Sequence, residues 1–387
     1  MSTPLPVLAT AAVPSGTSAV LPPLYARWMD AALAAPIAEE ETATCSDCVM
    51  CKPKREAGGR ELPPDFNAEV KCCTFMPELH NFLVGAVLDD PAQHPQGLAS
   101  VHARIDARSA VTPLGLGRTK AFNAAYTTDT GDHFGRDASL RCPHYLAEGG
   151  GRCGVWRHRE STCATWFCKH DRGALGKEFW WLLHELLFKI ESNLAWWCVL
   201  KLDAGLDSLR ILATSYAGKV RGEQKSSDPT EVVQRALWGE WYGREREFYR
   251  EAARLVEGLT WEEVVAICGP EVPVHVRLVR DAHARVGSEE LPERLRPGRY
   301  VMTPLDGTYT RVATYSKHDA LDLPTGLLNI LHHFDGRPTS EVMARLLEEK
   351  RIRLEPMLVR RLADFNILLP DEDRASELAP TPALPPR

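Results

Sequence analysis

Between Lys177 and Leu202 apolar residues recur every three or four positions, at Phe179, Leu183, Leu186, Leu187, Ile190, Leu194 and Trp197. That spacing predicts a long helix with one buried stripe. A second long helix is expected to open at Asp228-Pro229-Thr230-Glu231, with Asp228 as the cap, Pro229 in the first turn and Glu231 completing a capping box. Its stripe would be Val233, Leu237, Trp241, Phe248, Ala252 and Leu255. Thr260 and Glu263 repeat the capping-box pattern over a short helix that stops at Cys268-Gly269-Pro270. Upstream, helical spacing covers residues 25–44, 76–88 and 98–108, whereas 110–140 carries turn signals and reads as a hairpin or an irregular lid. Near the end, Tyr300–Met302 and Tyr309–Tyr315 flank Asp306-Gly307, a hairpin signal, and three short helices follow over 323–333, 339–349 and 355–366.

The fold class expected is therefore mainly α with small β elements. The expected divisions are a Pro/Ala-rich leader over 1–24, a cysteine-rich metal-binding domain over 25–175, a helical region over 176–290, a small winged-helix-like domain over 296–370 and a tail over 371–387. With 44% hydrophobic and 25% charged residues in 387, core size is no obstacle. A net charge of −6 gives no general attraction to phosphate backbones, so no nucleic-acid partner is expected. No apolar run reaches the roughly 20 residues that span a bilayer. The apolar start lacks a basic segment and is broken by Pro4, Pro6 and Pro14, so no membrane partner and a cytoplasmic location are expected.

Cysteine placement changes this ordinary picture. Nine of the eleven cysteines fall in the first half: Cys45, Cys48, Cys51, Cys72, Cys73, Cys142, Cys153, Cys163 and Cys168. In a reducing compartment such clustering points to metal ligation rather than disulfides. The C-x2-C-x2-C run of Cys45, Cys48 and Cys51 suits three irons of a cubane, with a distant cysteine followed by Pro, as Cys142-Pro143 is, supplying the fourth ligand; zinc stays open. Adjacent Cys72 and Cys73 either serve two centres or bridge them. Arg157 and Arg159 are candidates to offset the charge of such a cofactor, and His144, His158 and His170 are candidate mixed-site ligands. Cys198 and Cys268 read as core residues. Asp129, Asp132 and His133 have the residue types of a facial triad. The tryptophans at 180, 181, 196, 197, 238 and 241 read as core, with an aromatic pocket between two helices as the sharper alternative.

Two resemblances follow from these residues. Cys142-Pro-His-Tyr-Leu146, then Cys153-Gly-Val-Trp-Arg-His-Arg159-Glu-Ser-Thr-Cys163 with Trp166 behind, resembles the distal signature of the YkgJ-like cysteine-cluster family, named for zinc or iron chelation. It covers roughly residues 45–168. The double cysteine, which in that family adjoins the triplet, comes 21 residues after it, and Glu160 stands where the family has Pro. Some members are associated with lysine methylation of flagellin, so the resemblance implies metal and leaves an enzyme possible. The stretch ending in Phe334, then Asp335-Gly336-Arg337-Pro338-Thr339 and Asn366-Ile-Leu-Leu369, is more faintly similar to PqqD-like peptide-recognition domains. That likeness implies a peptide or protein partner held by an edge strand near 309–315.

Two function classes stand side by side. One is a metal-dependent modifier of, or electron donor to, a peptide or protein substrate, carrying one or two iron–sulfur clusters, [4Fe-4S] by spacing. The other is a non-catalytic binding or assembly protein stapled by zinc. The lack of a nucleophile–base pair or nucleotide loop favours the second, whereas nine candidate ligands exceed what one structural zinc needs, which favours the first.

Overall fold

The computed structural model describes residues 20–41, 45, 47–55, 61–127, 133–220 and 230–371. The Gly173–Lys201 helix is its axis. Leu183, Leu186, Leu187, Ile190 and Leu194 are all fully buried on it, as their spacing requires. Pro23–Ala32, Trp261–Cys268 and Glu271–Gly287 pack around that stripe as helices. A second core lies at the other end, where Asn81–Asp89 and Glu245–Glu257 pack closely against each other with Leu116, Val199 and Trp238. Both cores draw residues from either side of position 175. No helix among the described residues is long and apolar enough to cross a membrane.

Several elements differ from their expected bounds, each for a local reason. The first helix ends at Ala32, because Leu33 turns extended and Pro36 disfavours helix just before it. The next starts at Asn81 rather than Met76, since Leu79–His80 pairs as a strand with Gly115–Leu116. Asn81 fixes that junction by donating to the carbonyls of Pro113 and Ala195. The 98–108 helix runs Pro95–Ala107. The 110–140 stretch holds the Val111–Thr112/Gly115–Leu116 hairpin and a Lys120–Thr127 helix.

The single helix expected from 228 to 255 is two, Glu231–Trp238 and Glu245–Glu257. Gly239 and Gly243 both take positive φ between them, a conformation that interrupts the helix and resets its phase. Val233 is consequently exposed, and Val256 rather than Leu255 is buried. Thr230 is the cap, accepting from the Val233 amide, while Asp228 and Pro229 lie outside the described residues. The Thr260/Glu263 capping box forms as expected. Two helices, Leu206–Val220 and Glu271–Gly287, were not anticipated.

The C-terminal module has its own core, drawn from residues 295–368. Val301–Pro304, Tyr309–Ala313 and Leu321–Pro324 form an antiparallel sheet, with the Asp306-Gly307 hairpin in place. Tyr309–Ala313 is the central strand, so the peptide-accepting edge expected near 309–315 is already paired on both sides. The open edges belong to Val301–Pro304 and Leu321–Pro324. The helix expected over 323–333 shrinks to Thr325–Leu328 and a 3-10 turn at Leu331–His333, whereas Thr339–Lys350 and Pro356–Asp364 match their expected places.

Candidate metal centre

All nine cysteines of the first half are free thiols; eight of them line two adjoining cavities, with Cys51 beside Cys48. Four separate segments deliver them. A 3-10 turn at Val49–Cys51 brings Cys51 to Cys48, with the Cys51 amide donating to the Cys48 carbonyl at 3.0 Å. The turn over 67–74 carries Cys72 and Cys73, and the Cys73 carbonyl accepts from the Cys142 amide at 2.7 Å. Tyr145–Leu146 pairs with Arg152–Cys153 as a two-stranded ribbon closed by Gly150 and Gly151, both at positive φ. This triple-glycine turn brings Cys153 back beside Cys142. Cys163 lies on the short Ser161–Thr165 helix, and Cys168 follows it.

The thiols fall into two neighbouring groups. Cys51 and Cys168 are both raised by Cys48 and Cys72. In the other group Cys73 feels Cys142, Cys153 and Cys163, and Cys163 feels Cys153 and Cys142. The adjacent Cys72 and Cys73 lie where the groups meet, and the groups overlap: Cys153 is also raised by Cys45 and Cys72, and Cys72, Cys73 and Cys153 line the cavities of both. Cys45 is the ninth, touching Cys72 and Cys48 electrostatically and lining the cavities of both groups.

Burial dominates the electrostatics. It pushes the thiols of Cys51, Cys142 and Cys168 up to about 12 and those of Cys45 and Cys153 to about 11, with repulsion from neighbouring thiolates adding to the rise. Cys163 is raised further by the buried Glu160 carboxylate. Glu160 caps the Ser161 helix by accepting from the Thr162 and Cys163 amides at 2.7 and 2.9 Å. A bound cation reverses this balance, since it neutralises the charge that makes each thiolate costly.

Lys71 was not singled out from sequence. It is buried at positive φ beside the double cysteine, and its ammonium donates to the carbonyls of Cys45, Gly150 and Gly151. It is thus a fixed positive charge next to both thiol groups, legible only as a lysine adjoining Cys72-Cys73.

Arg159 lies 5% exposed with its three nitrogens donating to the carbonyls of Cys163, Trp156 and Val20, and its charge lowers the Cys45 and Cys153 thiols. Arg157 instead pairs with Asp90 at 2.9 Å, as does His158. His170 is turned toward the C-terminal module, its amide donating to Asp319. His144 differs from both: it is 1% exposed, lines the cavity of Cys73, Cys142, Cys153 and Cys163, has Nδ1 2.7 Å from the Ser100 hydroxyl, and leaves Nε2 without a partner. Of the facial-triad types, His133 pairs with Asp137 at 3.0 Å, and Asp129 and Asp132 lie outside the described residues. Cys198 and Cys268 are buried core residues, and Trp180 and Trp238 are core side chains too.

Among the described residues no three of the His, Cys, Asp and Glu side chains already converge on one ion-sized point. The donor set nevertheless fits a thiophilic metal. Nine thiols lie in two overlapping groups, and an orphaned imidazole nitrogen is held beside Cys142, Cys153 and Cys163 with its other nitrogen anchored, the arrangement of a ligating histidine. Compared with known proteins, the chain matches no family model, no curated protein and no solved structure.

Proposed function

We propose that this chain is a cysteine-cluster metalloprotein of the YkgJ-like kind, carrying two iron–sulfur clusters, and that it acts in metal-dependent modification of, or electron transfer to, a peptide or protein. The observation that carries this reading is the gathering of nine thiols into two overlapping groups that meet at the adjacent Cys72 and Cys73. A single structural zinc needs four ligands, fewer than the nine thiols gathered here. Two neighbouring centres suit electron passage from one to the other. When bound, such clusters supply electrons or Lewis acidity. The chain's own residues provide burial, the Lys71 and Arg159 charges, and the C-terminal module for the substrate.

That module is proposed to hold a peptide along the Val301–Pro304 edge, where Val301 and Met302 are 69% and 56% exposed. Addition there would extend the sheet by main-chain hydrogen bonds. Nine reduced thiols suit the cytoplasm. The test is metal, iron and acid-labile sulfide content with the visible spectrum of protein purified without oxygen. Broad absorption near 400 nm with about eight irons per chain, the number two cubanes hold, is expected. A colourless protein with one or two zinc ions would leave the zinc-stapled assembly protein as the reading.

A further inference from the structure

A cavity of about 500 Å³ opens beside the thiol groups and reaches Cys45, Cys153 and Cys163. Its size is that of pockets that enclose small organic ligands. Arg152, Arg157, Arg159 and Trp156 line it together with Trp166 and Phe167. The three guanidinium groups are not equivalent. Arg157 is matched by Asp90. Arg159 is held by three carbonyls and stacked 3.6 Å over the Trp156 ring, with the thiols as its electrostatic partners. Arg152 lies on the ribbon strand next to Cys153, exposed, and its guanidinium engages no carboxylate among the described residues.

Two carboxylates also line this space. Glu40 has both oxygens occupied, by the Trp180 indole N–H at 2.6 Å and the Asp171 amide at 2.5 Å. Glu39 is exposed at the surface. The cavity therefore presents one guanidinium unmatched among the described residues, an indole that is 47% exposed, and the second indole of Trp166 in its lining. A planar group stacks on such rings and an oxyanion takes the guanidinium fork.

We propose that this cavity binds a small organic anion with a planar apolar body, its carboxylate or phosphate held by Arg152 and its body set against Trp156 and Trp166. The inference rests on the proposed function only in that the bound molecule would lie beside the metal-holding thiols, as a substrate or its reacting residue must. Binding itself needs no metal chemistry.

The test is equilibrium dialysis of the full chain against indole-3-acetate and its uncharged isostere indole-3-acetamide, with phenyl phosphate against phenol as the phosphate arm. At least one anion is expected to bind once per chain and about tenfold more tightly than its neutral partner, the lower range for a charge-assisted hydrogen bond. The arm with the larger ratio identifies the anion class. Arg152→Gln, an exposed change that spares the core, should abolish that preference, whereas Arg210→Gln, outside the cavity lining, should leave it. Equal binding of anion and neutral partner in both arms, no binding at all, or a preference that survives Arg152→Gln would overturn the proposal. Metal content measured on the same samples separates the two readings. A metal-bearing protein without anion preference fails the cavity alone, and an anion-binding protein without metal fails the metalloprotein reading alone.

Discussion

His144 shows how one side chain is committed to a role by its surroundings. Its imidazole is pushed down to about 3, burial first and the Arg104 charge second, so it stays neutral throughout the physiological range with a lone pair on one nitrogen. Ser100 anchors Nδ1, and Nε2 is left with nothing in a cavity lined by six cysteines. A buried nitrogen without a partner costs free energy on the order of 1–3 kcal/mol, and a metal at the second group removes that cost. His144→Ala is expected to weaken metal retention by that group about 10- to 100-fold, the range for ligand-shell residues, and to shift its visible or cobalt-substituted absorption. Ser100→Ala should produce the same shift in lesser degree. Titration against a chelator reads both effects, and unchanged retention with an unchanged spectrum would show that the imidazole plays no part.

The elements are tied by a second buried group. Glu191, on the Gly173–Lys201 helix, is completely buried and accepts from the Ser161 amide at 2.9 Å, the Ser161 hydroxyl and the Tyr25 hydroxyl. One carboxyl thereby fixes the first helix and the Cys163 helix to the axis. Burial, then the neighbouring Glu160 carboxylate, raises it from 4.5 to about 8. The folded chain holds this proton over a range in which the unfolded chain has released it. Its contribution is therefore full below about 4.5 and is lost as pH rises through about 8. Relative to Glu191→Gln, the natural chain should lose on the order of a few kcal/mol between those limits. Urea denaturation midpoints of both proteins across pH 5 to 9 test this, and parallel profiles would refute it. Such a group is invisible to periodicity, because a glutamate at an apolar helix position reads as an edge of the stripe. Helix legibility followed the same logic. The 173–201 axis and the Thr260 cap were readable because spacing and capping agree locally. The break at Gly239 and Gly243 was hidden because the apolar spacing runs through it, although Gly at positive φ is what sets the phase of the second helix.

Across the whole molecule, the cysteine set was legible and its partition was not. Spacing alone marks Cys45, Cys48 and Cys51 as one unit, yet the fold places Cys48 and Cys51 with Cys72 and Cys168, and leaves Cys45 on the cavities of both groups. Long-range pairing of this kind depends on the Cys73–Cys142 backbone bond and on the 150–151 turn, neither of which has a local signature. The same holds for the C-terminal module. Its hairpin was readable, but its docking was not: Arg172 meets Asp364 at 2.6 Å and Lys169 meets Asp319 at 3.6 Å, immediately after Cys168. The thiol-bearing segment and the C-terminal module are thus held together by the Lys169 and Arg172 side chains.

The measurement that bears most directly on the two-centre proposal is iron and sulfide content of Cys48→Ser and Cys142→Ser beside the unaltered chain, all purified without oxygen. Each variant should keep about half the iron, roughly four of eight by the composition of cubane clusters, and the double variant none. Loss of all metal in either single variant, or full retention in both, would contradict two separate four-thiol centres.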